Sequence, residues 1–397
     1  MLRLPPLVRH GFFYALIYVG TGVSMPYAPV WFKSVGLTAP QIGVILAAPM
    51  LGRAVAGPAT AVWAEGFRLR RTPMLLLALI AAACYLTLLW LHGFWAWLAL
   101  WFVASTAISV ISPLADVLNL IRSRIDQFTY TFARAIGSLG YIFGNIVGGA
   151  VVAATSPLTA ILWPTLAAAV CALLGLKLLP AEPTHVDEAA PEKQPGWSAL
   201  PALLRNGDLM LCIGVFSLIQ GSHGVYYGFS AIAWTAQGMP ASVVGLLWGV
   251  SVAAEVGLFL SGGALRKRLH STELITLGAV AAVIRWTALA FSPPLWLLFP
   301  LQALHALTFT ATFIGGLELV DRLCPRSQAS AAQTLSASLS YGLATGATTV
   351  AGGWLYARFG AGAYLPMSVV ALVGAIGALV LSRRVGASGR NLSQQAA

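Results

Sequence analysis

The sequence predicts an all-α membrane protein of twelve transmembrane helices, built as two six-helix bundles. Three observations predict it. The chain is 58% hydrophobic and 9% charged, with a mean hydropathy of +0.81, whereas a soluble domain carries about 25% charged residues. Twelve apolar runs of spanning length are divided six and six by one polar stretch. The cations gather in alternate loops between those runs. Polar residues do not alternate at strand spacing, which argues against a membrane β-barrel.

In chain order, the first six runs fall near 11–32, 42–64, 73–91, 94–120, 131–153 and 156–178. Arg3 and Arg9 precede the first run, as in a signal peptide, but the run continues to Trp31 without a clear small-residue cleavage site. An uncleaved first helix is expected. The polar stretch 180–207 contains Pro180, Pro183, Pro191 and Pro195 and the acids Glu182, Asp187, Glu188 and Glu192. It reads as a flexible linker. Six further runs lie near 208–234, 242–263, 271–291, 295–320, 328–356 and 361–382. The expected division is therefore a bundle over 1–179, a cytoplasmic linker over 180–207, a second bundle over 208–384 and a cytoplasmic tail over 385–397.

Net charge +11 would suit a nucleic-acid binder, but the distribution removes that reading. With both termini cytoplasmic, eighteen of the 23 Lys and Arg residues fall on the inside, among them Lys193 and Lys267. Only Lys33 and Arg358 fall outside, and Arg53, Arg134 and Arg285 lie within the runs. That bias fixes an orientation. The four cysteines have no metal-ligand spacing and read as small buried side chains.

Ionisable groups at membrane depth are costly and usually face a partner or a cavity. The second half places Glu255, Arg285 and His305 in three consecutive runs. Arg285 is eight residues before Pro293 and His305 eleven after Pro294. At about 1.5 Å per residue both lie roughly 12–17 Å from that turn, near mid-bilayer. In the first half, Asp116 and Arg134 are each nine residues from a turn near Ile125. They share a depth and are expected to pair. Arg53 has no acid close in sequence, a setting suited to an anionic substrate. Gln220, His223 and Tyr227 recur at i, i+3 and i+7, so they share one helix face. Such a face suits a ligand with a polar head and an aromatic body.

Two six-helix halves joined by a cytoplasmic linker resemble the major facilitator superfamily. The loop Ala64-Glu65-Gly66-Phe67-Arg68-Leu69-Arg70-Arg71 resembles that superfamily's acidic-and-basic loop motif, with Glu in place of the usual Asp. The resemblance implies pseudo-symmetric halves and a gating role for Glu65, Arg68 and Arg71. Asp116, Arg134 and Tyr141 resemble the ligand-binding acid, arginine and aromatic of lactose-permease-type proton symporters. Glu255, Arg285 and His305 match those symporters' substrate and proton-coupling residues. The chain departs at Thr308, where the sugar permeases keep an acid one turn after the histidine.

A nearer resemblance is to the 3-phenylpropionate permease branch. It is carried by Met25-Pro26-Tyr27-Ala28-Pro29-Val30-Trp31-Phe32, the Arg53 helix, Gln220 to Trp234, Leu247-Trp248 and Ala254-Glu255-Val256. It implies proton-coupled import of a small aromatic carboxylate such as 3-phenylpropionate across a bacterial inner membrane. Arg53, Asp116, Arg134, Tyr141, Gln220, His223 and Tyr227 are then substrate-binding candidates, and Glu255, Arg285 and His305 couple the proton. A sugar or nucleoside symporter and a drug exporter are the alternatives. An enzyme is not expected, and no glycine-rich loop followed by Lys and Ser/Thr is present for nucleotide binding. The expected partners are a small molecule and the bilayer, without nucleic acid. No cofactor is expected, the proton gradient being the driving force, and the working unit is expected to be a monomer.

Overall fold

The computed structural model describes residues 4–184, 196–266 and 268–395. Arg3, Lys267 and the centre of the expected linker, with Asp187, Glu188, Glu192 and Lys193, lie outside the described residues. The rest is almost wholly helical. The helices are α1 Pro6–Ser34, α2 Ala39–Glu65, α3 Arg71–Thr87, α4 Phe94–Ile125, α5 Tyr130–Ala154, α6 Thr159–Leu178, α7 Gly196–Arg205 and α8 Gly207–Gly221. There follow α9 Gly224–Ala236, α10 Ala241–Arg266, α11 Ser271–Ala290, α12 Leu295–Ala303, α13 Thr312–Leu323, α14 Ala329–Ala337, α15 Thr345–Phe359 and α16 Tyr364–Gln395. π-helical turns at Ala306–Ala311 and Ser338–Ala344 connect α12 to α13 and α14 to α15.

Among the described residues, eight helical stretches are long and apolar enough to cross a bilayer. A ninth crossing results if Ala39–Arg53 and Val55–Glu65, bent by 52°, count as one span. One of the eight, Arg326–Val385, is 60 residues long. A straight helix of that length would measure about 90 Å, three times the hydrocarbon core of about 30 Å, so it holds more than one crossing. Its break is at Gly360, whose φ of +56° favours glycine. The twelve spans expected from sequence are a larger count than length and hydropathy alone return.

The chain divides into two compact units. The first comprises residues 1–188 and 227–252, the second residues 189–226 and 253–397. In the first, α1 packs on α5 and α6, α3 on α4 and α6, and α2 on α4. The α1–α5 contact is backbone-close. A Cβ added at Gly144 would sit 2.5 Å from the Val19 carbonyl oxygen, so only a small residue lets these helices meet. Residues 227–252 join this unit for a similar reason. The Tyr27 hydroxyl donates to the Ala241 carbonyl at 2.8 Å, and Gly245 lies against the Asn145 carbonyl.

In the second unit, α11 packs on α16 and α13, and α8 on α16. Trp286 is fully buried at its centre, its indole N–H donating to the Ser222 hydroxyl at 2.8 Å. One expectation meets a different outcome here. The stretch read as a flexible linker contains α7, whose Leu203 is buried and which packs on α8 and α14. Its apolar residues recur at helical spacing within a proline-rich context, so the prolines dominate the sequence impression. The last helix continues to Gln395, past the apolar run, and helical propensity does not require lipid.

Candidate functional site

The loop between α2 and α3 is fastened to the chain that leaves α6. Leu69 and Pro183 form an isolated antiparallel bridge. Thr184 N–H donates to the Arg68 carbonyl at 3.1 Å, and Arg70 N–H to the Glu182 carbonyl at 2.9 Å. Arg71 Nη1 donates to the Leu176 and Leu179 carbonyls at 3.1 and 3.0 Å, satisfying acceptors that the end of α6 leaves open. Arg122 bridges Asp126 at 2.6 Å and Glu182 at 3.1 Å. Glu65 is the exposed last residue of α2.

The first unit brings Asp116 and Arg134 together, Nη1 to Oδ1 at 3.6 Å. The sequence argument anticipated this pairing from equal depth. It missed the tyrosines. Tyr14 and Tyr130 both donate to Asp116 Oδ1, at 2.5 and 2.9 Å. Arg134 Nη1 donates to the Ser112 hydroxyl at 2.6 Å, and Tyr18 shares that hydroxyl at 2.9 Å. The guanidinium carbon lies 5.3 and 5.2 Å from the ring centroids of Tyr14 and Tyr18, within cation–π range. Tyr14 and Tyr18 are one helical turn apart, a spacing that could have flagged them. Tyr141 is placed on the same helix as Arg134, its hydroxyl 3.2 Å from Met25 Sδ. Arg53 is exposed at the bend of α2.

The second unit brings Glu255, Arg285 and His305 together. Arg285 is fully buried. Its Nη1 donates to His305 Nδ1 at 2.9 Å and to Thr308 Oγ1 at 3.4 Å, and its Nη2 to Gln302 Oε1 at 2.8 Å. His305 Nε2 lies 3.7 Å from Glu255 Oε2. The guanidinium sits over Tyr226 at 4.4 Å and Trp286 at 4.7 Å. Gln302 and Tyr226 were not named as site residues from sequence, and Thr308 was noted only as the place where the chain departs from the sugar permeases. Gln302 and Thr308 flank His305 at i−3 and i+3, so helical spacing pointed to them. The π-helical turn that begins after His305 is a device frequent at functional sites.

The expected face of Gln220, His223 and Tyr227 is interrupted. A turn at Ser222–His223 separates α8 from α9. Gln220 is buried and donates to the Phe309 carbonyl at 3.3 Å. His223 is fully buried beside His305, ring centroids 5.4 Å apart. Tyr227 belongs to the first unit, its ring 6.3 Å from Trp248. No group of His, Cys, Asp and Glu among the described residues could hold a metal ion.

Residues 7–365 match the MFS_1 like family. The chain belongs to the MFS_1-like family. It is 30% identical over 368 residues, 90% of this chain and 93% of the relative, to a probable 3-phenylpropionic acid transporter of Escherichia coli (strain K12). It is 26% identical over 382 residues, 94% of this chain, to a maltose permease of Geobacillus stearothermophilus covered to 93%. Among solved structures, the nucleoside transporter NupG superposes with a TM-score of 0.81 at 15% identity, over 95% of this chain and 99% of that one. This MFS_1-like protein is thus a multi-pass membrane protein and a secondary transporter of a small molecule, not an enzyme.

Proposed function

We propose that this MFS_1-like protein imports a small aromatic carboxylate, of which 3-phenylpropionate is an example, by proton-coupled alternating access. The observation that carries the reading is the contact series Arg285–His305–Glu255, a buried guanidinium joined through an imidazole to a carboxylate. A proton carrier inside a membrane needs a titratable group with a nearby charge that can change its affinity, and this trio supplies both. In the substrate-free state Glu255 holds the proton. Substrate binding brings Arg285 nearer, favours the carboxylate and releases the proton to the cytoplasm. The relative named for 3-phenylpropionic acid supports the substrate class, and Arg53 is the cation that would meet the carboxylate. Asp116, Arg134, Tyr141, Gln220 and Tyr227 complete the substrate-binding candidates, and His223, expected among them, is buried beside His305. The likeness to a maltose permease favours a sugar symporter as the second reading.

In this reading the membrane is the bacterial inner membrane, both termini are cytoplasmic, and the monomer is the working unit. Single cysteines replacing Lys33 and Arg358 then label from outside, and one replacing Arg326 only from inside. The deciding experiment is uptake of radiolabelled 3-phenylpropionate, its amide and maltose into vesicles, with and without an imposed pH gradient. Accumulation of the acid that collapses without the gradient is the expected result. Gradient-driven maltose uptake would replace the first reading with the second, and uptake indifferent to the gradient would end the proton-coupled reading.

A further inference from the structure

His223 lies outside the trio that the proposed function uses, yet it is fully buried beside it. Its hydrogen bonds determine which ring nitrogen carries the hydrogen. Nδ1 is 3.1 Å from the Gln220 carbonyl and 3.2 Å from that of Ile219. Carbonyl oxygens only accept, so Nδ1 must be the donor. In a neutral imidazole the other nitrogen then accepts. His223 Nε2 is 3.0 Å from Thr308 Oγ1, and the single hydroxyl hydrogen of Thr308 is therefore directed to it. The competing acceptor, the His305 carbonyl, is farther at 3.3 Å. With its hydrogen committed, Thr308 Oγ1 turns its lone pairs elsewhere, and Arg285 Nη1 is 3.4 Å away.

The same reasoning fixes His305 the other way round. Arg285 has donors only, so His305 Nδ1, at 2.9 Å from Nη1, accepts. Its hydrogen is then on Nε2, the nitrogen 3.7 Å from Glu255 Oε2. Two imidazoles 5.4 Å apart thus hold opposite tautomers, linked through one guanidinium nitrogen and one hydroxyl. Other groups facing them include Tyr226, Trp286, Gln302 and Phe309.

We propose that His223 and Thr308 are positioning residues of the coupling site: they hold the Arg285 guanidinium on Nδ1 of His305 and so fix the tautomer whose Nε2–H faces Glu255. This rests on the proton-coupled reading for its functional meaning. It also gives a role to Thr308, where a neutral hydroxyl bound to an imidazole stands in place of an acid. While the arrangement holds, neither nitrogen of His305 can take a proton: one receives the Arg285 N–H and the other already bears hydrogen. An incoming proton goes to Glu255, and it leaves from Glu255 when Arg285 departs from His305.

Two measurements on the full chain in lipid test this. Nitrogen-15 spectra of histidine-labelled protein, assigned with His223→Gln and His305→Gln, are expected to show hydrogen on Nδ1 of His223 and on Nε2 of His305. Thr308→Val and His223→Phe should each scramble the His305 signals. In vesicles both should lower gradient-driven accumulation of 3-phenylpropionate by about three- to tenfold, the loss of one neutral hydrogen bond. In Thr308→Val substrate exchange should stay within about twofold, since the lost bond does not touch the substrate. The double variant should be no worse than either single one, because both break the same link. His223→Gln, which keeps an acceptor for Thr308, should restore accumulation. Hydrogen on Nδ1 of His305, His305 signals unmoved in Thr308→Val, or a His223→Gln protein as impaired as His223→Phe would each overturn the proposal. A wild-type protein that ignores the pH gradient while showing the expected tautomers would end the coupled reading and leave the positioning of Arg285 standing.

Discussion

The Arg134 cluster of the first unit and the Arg285 cluster of the second are made of similar parts. Each has an arginine lying over two aromatic rings and an acid in the same neighbourhood. They differ in burial and in what stands between the charges. The Arg134 side chain is 38% exposed and Asp116 26%. Arg285 is 0% exposed. In the first cluster the acid is satisfied mainly by two phenol hydroxyls, and the arginine binds a serine more closely than it binds the acid. In the second, one imidazole touches both the guanidinium and the carboxylate. A half-exposed charge can exchange its partner for water or ligand. A fully buried one depends on each acceptor it has.

The largest expected effect is on stability. Arg285→Leu removes the donor that Gln302, His305 and Thr308 share and should cost about 3–5 kcal/mol, as when one partner of a buried charged network is deleted. Arg134→Leu should cost about 1 kcal/mol or less, because solvent screens a pair this exposed. Thermal melting of the two purified variants reads the contrast directly, and equal losses would erase it.

Next comes the division of labour in transport. Glu255→Gln should abolish accumulation driven by a pH gradient yet leave substrate exchange near the wild-type rate. Asp116→Asn should reduce accumulation and exchange together, as a substrate-site change does. A Glu255→Gln protein that still concentrates substrate at wild-type rates would remove the proton from this cluster altogether.

Smaller effects sharpen which arginine meets the ligand. Arg53→Ala should weaken binding of the aromatic acid about ten- to a hundredfold, the worth of a charged hydrogen bond, while its neutral amide is little affected. Binding titrations of both compounds decide it: equal losses for acid and amide would make Arg53 structural and shift the role to Arg134. The smallest effects belong to the phenols. Tyr14→Phe and Tyr130→Phe should each destabilise by about 0.5–1.5 kcal/mol. Since both hydroxyls donate to the same oxygen of Asp116, the double variant should depart from the sum, and strict additivity in melting data would mean that the two bonds are independent.

Much of this was legible before any coordinates. The apolar runs, the polar stretch between them and the paired depths of Asp116 with Arg134 and of Arg285 with His305 follow from hydropathy and residue counting along helices. Both are properties of short stretches of chain, and the bilayer makes them strict, because a charge at the wrong depth costs several kcal/mol.

The azimuth of each helix was not legible. A helix that is apolar on every side gives no direction to its few polar residues, so depth can be counted but neighbours cannot. His223 finds Thr308 across 85 residues of chain and Tyr14 finds Asp116 across 102. The turn at Ser222–His223 parts His223 from Tyr227, and α7 docks where composition suggested a free linker. By itself the sequence determined that the chain is rich in stretches apolar enough to cross a membrane. Only tertiary packing, set where glycines such as Gly144 let backbones touch, decided which of them meet.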